Sequence, residues 1–143
     1  MTLKQLFSGF ATGTDTTLTT ATAENVVLFT ATSKTIIKEI ISTAWGGQAN
    51  AFVMLYILPT GGTDYSTTDT TTMSGGVIWA TGKGTTIILK AAEASNASGV
   101  IITARNTILE SGDKIKLRIL NSVGSDIDAT KFGYTCIISG DAA

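Results

Sequence analysis

Apolar residues in this chain gather in short runs rich in valine, isoleucine and aromatics. Glycine, serine, threonine and aspartate separate the runs. That is the signature of strands closed by turns. The runs predict strands over Thr16–Thr22, Asn25–Thr30, Lys34–Thr43, Ala51–Leu58, Gly76–Ala80, Thr85–Ala91, Val100–Ala104, Lys114–Leu120 and Phe132–Ile138. In Lys34–Ile41 the isoleucine pairs would also fit one face of a helix. Their β-branching favours the strand, because branched side chains are stiff in a helix and pack well on a pleated surface. Lys114–Ile119 alternates strictly between cations and aliphatics, which predicts a half-buried antiparallel strand with its cations in solvent. Ser111-Gly112-Asp113, just before it, supplies a tight turn.

Eight or nine short strands without a convincing helix predict an all-β protein, a single antiparallel β-sandwich. Jelly-roll and immunoglobulin-like topologies both stay open, since periodicity does not record strand order. Residues 1–14 read as an N-terminal arm or an edge segment, and residues 15–143 as the sandwich domain. The polar stretch Thr60–Thr72 reads as a long exposed loop.

Composition sharpens this picture. About one residue in six is threonine, far above ordinary usage, while only 15% are charged. The surface is therefore made soluble by hydroxyls, as in extracellular or particle-surface β proteins. A formal charge of −1 gives no field to attract nucleic acid or acidic lipid, so neither is expected as a partner. The N-terminal segment lacks a signal-peptide core and no apolar run is long enough to cross a bilayer. The expectation is synthesis in a cytoplasm without an export signal and no membrane partner.

Candidate chemistry is sparse. The chain contains no histidine, which removes histidine-based hydrolases and the usual zinc enzymes. Cys136 lies in an alternating run and reads as a small buried residue without a disulfide partner. No pair of the eleven acids has a spacing that compels a glycosidase reading. Asp126 and Asp128 fall on one side of an extended loop, but two carboxylates are few for calcium. Gly82-Lys83-Gly84-Thr85-Thr86 lacks the first glycine and the helix of a phosphate loop and reads as a hairpin turn. No cofactor, metal or catalytic residue is expected. Candidate partner contacts are the apolar set Leu3, Leu6, Phe7 and Phe10, together with Trp45, placed in a loop, and Tyr65.

One long stretch is similar to a known group. Leu28-Phe29-Thr30 through Lys34-Thr35-Ile36-Ile37-Lys38-Glu39-Ile40, followed by Ala51–Gly62 with its Leu58-Pro59-Thr60-Gly61-Gly62 ending, resembles small β-sandwich virion proteins of tailed bacteriophages. The hairpin Ile108–Leu117 and the last strand at Tyr134–Gly140 look like theirs as well. The likeness starts at about Leu28; its motifs are turn and strand signatures, and the threonine-rich insertion departs from the group. The resemblance implies a non-enzymatic viral structural protein located in the virion, a capsid decoration or cement protein or a head–tail accessory. It further implies other virion proteins (capsid, neck or tail) as partners and a homo-oligomer, with a trimer among the candidates. The rival expectation is a carbohydrate- or receptor-binding module that uses exposed aromatics such as Trp45 and Tyr65.

Overall fold

The computed structural model describes residues 4–46, 51–68, 87–90, 98–121 and 125–142. Eight strands run through them: β1 Lys4–Ala11, β2 Ala23–Thr30, β3 Thr35–Gly46, β4 Ala51–Leu58, β5 Ile87–Lys90, β6 Ser98–Leu109, β7 Lys114–Asn121 and β8 Phe132–Ala142. A single 3-10 turn, Ala129–Lys131, precedes β8. The strands form two four-stranded sheets, ordered β1-β8-β3-β6 and β2-β7-β4-β5, and every pairing is antiparallel. First pairs with eighth, second with seventh, third with sixth and fourth with fifth. That nested order is the jelly-roll wrap, and it decides between the two topologies that the sequence left open.

Isoleucine, leucine and valine at alternate positions build the interior, as period-two patterning requires. Ile115, Leu117 and Ile119 on β7 are almost wholly buried, as are Ile37 on β3 and Leu109 on β6. The register sets Ile115 opposite Ile57, and Leu117 opposite Leu55 and Val26. The run predicted over Lys34–Thr43 is a strand, as β-branching predicts, and a register irregularity falls inside it. The register of β3 shifts between Ile37 and Glu39 on both of its partners. Against β8 the extra residue is Lys38 on β3, against β6 the extra residues lie on β6, and Glu39 just past the shift is exposed.

Other expectations need correction. Thr16–Thr22 is no strand: only Leu18 makes a bridge, to Ile127. Its hydroxyls and Asp15 take the backbone amides instead. Thr19 N donates to the Thr22 hydroxyl at 2.9 Å, Ala21 N to the Thr19 hydroxyl at 3.1 Å, and Thr17 N to Asp15 at 2.9 Å. Short polar side chains that bond nearby backbone compete with a ladder. Residues 4–11 take the edge position of the first sheet as β1, paired with β8. Val100–Ala104 proves to be the middle of the longer β6, and Thr85–Ala91 contains β5. The predicted strand Gly76–Ala80 lies outside the described residues.

Candidate functional site

The densest constellation of polar side chains lies on β7, on the face away from Ile115, Leu117 and Ile119. Lys116 and Arg118 occupy that face, and both are buried, Arg118 at 1% exposure. The expectation of a half-exposed β7 with solvated cations is thereby overturned. The cause is the segment after β4. Residues 59–68 fold back as a strap over the outer side of the second sheet; of the loop expected over Thr60–Thr72, residues 60–63 and 66–68 are exposed while Asp64 is half-buried and Tyr65 buried, and 69–72 lie outside the described residues.

The strap begins at a turn in which Gly62 N donates to Pro59 O at 2.9 Å, with Gly61 at a φ of 79°. Asp113, itself buried, anchors this start: it accepts from Thr60 N at 2.8 Å, the Thr60 hydroxyl at 3.0 Å and Glu110 N at 2.8 Å. The predicted Ser111-Gly112-Asp113 turn thus joins β6, β7 and the strap. Gly112 sits at a φ of 96°, and a Cβ there would meet the Thr60 hydroxyl at 2.5 Å. Only glycine tolerates both conditions.

Further along, Asp64 forms an ion pair with Lys116 and accepts from the Tyr56 hydroxyl at 2.6 Å and from Tyr65 N at 2.8 Å. Tyr65 stacks edge-on against Tyr56 at 5.0 Å, and the Arg118 guanidinium lies over its ring at 5.0 Å. Arg118 also donates to Asn25 Oδ1 at 2.8 Å and to Ser66 O at 2.7 Å. Asn25 Nδ2 donates in turn to Tyr65 O, and Ala23 N to Thr67 O. Buried charge is tolerable only when paired and hydrogen-bonded, and the strap supplies those partners.

The titration shifts follow from this packing. Burial pushes the Asp64 carboxyl up, but the bonds from Lys116, Tyr56 and Tyr65 N outweigh it, and the group is held below its ordinary value. Burial raises Tyr56, and the Asp64 carboxylate that it bonds raises it further. Burial raises Tyr65 too, with Arg118 opposing. Arg118 is lowered by burial, opposed by the two tyrosines and Asp64. Around neutral pH the cluster holds one carboxylate, two cations and two neutral phenols. Nothing in it is placed as a nucleophile beside a base, so its chemistry is that of a fastening.

The candidate contacts are not gathered into one site. Tyr65 is only 4% exposed and serves the strap, which corrects its reading as a surface aromatic. Trp45 is the penultimate residue of β3, in register with Gly133, and not in a loop. Leu6 is partly exposed at a register irregularity of β1, while Phe7 and Phe10 pair with Ile138 and Thr135. Leu3 lies outside the described residues. Cys136 is in β8, flanked by Gly9 and Ser42. Asp128 accepts from Thr130 N at 2.9 Å and from the Thr130 hydroxyl, at the start of the 3-10 turn. Among the described residues no group of three histidine, cysteine or acidic side chains is placed to hold a metal. No helix there is long and apolar enough to cross a membrane.

Sequence reasoning missed Asn25, Tyr56, Asp64, Lys116 and Arg118 as one unit. The available signal was two cations in an apolar strand together with an Asp-Tyr pair inside a polar loop.

No protein-family model matches the chain, and no curated protein matches it. Among solved structures, that of the infectious bursal disease virus Gx strain aligns over 97% of this chain and 31% of its own, at a TM-score of 0.44 and 9% identity. The coat protein of tobacco streak virus aligns over 95% of this chain and 88% of its own, at a TM-score of 0.44 and 7% identity. The chain spans about a third of the first protein's length. The fold assignment rests on strand order, not on these likenesses.

Proposed function

We propose that this chain is a non-enzymatic structural protein of a virion, which assembles with other virion proteins and with copies of itself. The observation that carries the reading is the eight-strand jelly-roll wrap, an architecture recurrent in viral capsid domains. This is an argument by analogy of fold, since jelly rolls also serve lectins and cupins. The hydroxyl-rich, charge-poor composition supports it. So does the work of several carboxylates: Asp15, Glu24, Asp64, Asp113 and Asp128 are engaged in holding backbone or side chains in place. The finer reading is a tailed-phage capsid decoration or cement protein, or a head–tail accessory. It rests on the sequence resemblance that begins at Leu28.

Light scattering on the purified protein, with imaging of particles that carry or lack it, tests the proposal. The expected result is a symmetric oligomer with density on the particle that disappears with the protein. A monomer that leaves particles unchanged overturns it. A glycan-binding screen tests the alternative of a carbohydrate- or receptor-binding module, which has lost Tyr65 as an exposed platform.

A further inference from the structure

The strap over β7 is fastened differently from the rest of the domain. Its ties to the sheet are polar or aromatic: Asp64 to Lys116 and Tyr56, Ser66 O to Arg118, Tyr65 O to Asn25, and Thr67 O to Ala23 N. Its one large buried hydrophobic is Tyr65, held against Tyr56 and Arg118. The interior packing of Ile115, Leu117 and Ile119 lies on the opposite face of the same strand. At one end the strap has a built pivot: Thr60 is fixed by Asp113, and Gly61 next to it has nothing within 4 Å of where a Cβ would be.

We infer that residues 59–68 form a lid that swings from the Pro59–Gly62 turn as a unit while the sheet beneath stays folded, uncovering a cationic face at Lys116 and Arg118. Elements that open locally are those with few buried apolar contacts and many polar ones, and their opening free energy lies below that of global unfolding. Closed, the lid presents hydroxyls, with Ser66, Thr67 and Thr68 exposed. Open, it carries away Asp64, the carboxylate that the described residues place against the two cations, so its position sets the charge that this side of the molecule shows to a partner.

Acid is the natural trigger. The groups facing Asp64 are Lys116 and Arg118 from β7, Tyr56 from β4 and Tyr65 from the lid, and burial keeps both tyrosines protonated. The Asp64 carboxyl is depressed when the lid is closed and returns to its ordinary value of 3.8 when it opens. Its contribution to closure is therefore full above the ordinary carboxylate range. It is lost as the pH falls through the closed-state value. The lid holds through mild acidity and lets go in strong acid.

Hydrogen exchange read by mass spectrometry, on the wild-type protein and on Asp64→Asn, tests this. In the wild type, the amides of Tyr65, bonded to Asp64, and Ala23, bonded to Thr67 O, should exchange at least about ten-fold faster than those of Leu117 and Ile119, a gap of about 1.4 kcal/mol. Asp64→Asn should speed strap exchange by a further ten-fold or so near neutral pH, leave β7 unchanged, and lose that excess in strong acid. Strap and β7 exchanging together in the wild type would overturn the lid, since the strap would then belong to the global unit. An unchanged strap rate in Asp64→Asn would overturn the role of the carboxylate. Should the variant not fold, the wild-type profile with pH still decides.

Discussion

On one face of β7, Ile115, Leu117 and Ile119 are buried by packing between the two sheets. On the other face, Lys116 and Arg118 are buried to almost the same degree by ten residues of polar loop. The strand is one and its neighbours in the sheet are the same, yet two kinds of force are at work. Apolar burial is non-directional and contributes about 1.5–3 kcal/mol for each large aliphatic. The polar face depends on direction: each bond nets about 1 kcal/mol, but a stranded buried partner costs about 1–3 kcal/mol. The first face tolerates rearrangement at fixed volume, whereas the second tolerates little rearrangement without losing a partner.

The contrast can be broken from either side. Leu117→Ala should have the largest effect, about 2–5 kcal/mol of stability, because a central cavity forms that neither sheet can close. Denaturant titration measures it, and a loss below about 1 kcal/mol would mean that the sheets collapse onto the gap. Arg118→Met keeps apolar bulk but strands Asn25 Oδ1 and Ser66 O. We expect a loss of about 1–3 kcal/mol, with faster exchange concentrated in the strap. Gly112→Ala attacks the corner that ties the strap to the β6–β7 turn, through positive φ and contact with Thr60. About 1–3 kcal/mol is expected in the same titration. Val27→Thr, at a residue 48% exposed beside Lys116 in the ladder, should stay within about 0.5 kcal/mol and leave exchange unaltered. A larger effect there would place Val27 under the strap's control.

Most of the strands were legible because alternation and β-branching report directly on pleated, buried positions. Even the ambiguous run in β3 is a strand, with a register irregularity between Ile37 and Glu39. The polar side of β7 was misread for a definable reason: periodicity tells which residues share a face, but not what covers that face. A loop of threonine, glycine and aspartate carries the composition of solvent exposure, so nothing local marks Asp64 as half-buried or Tyr65 as buried. Thr16–Thr22 failed in the opposite direction. Threonine favours strands on average, but its hydroxyl can also satisfy a neighbouring amide, and here the hydroxyls took the amides from the ladder.

The nested pairing of the strands has a practical corollary. Among the described residues every ladder joins a strand from β1–β4 to one from β5–β8, and none joins two strands of the same half. A chain cut between β4 and β5 would give two fragments, neither able to build a sheet alone, each holding the complementary strand for every ladder of the other. Such halves are suited to reconstitution: apart they should be unstructured, and mixed they should recover the whole domain or nothing.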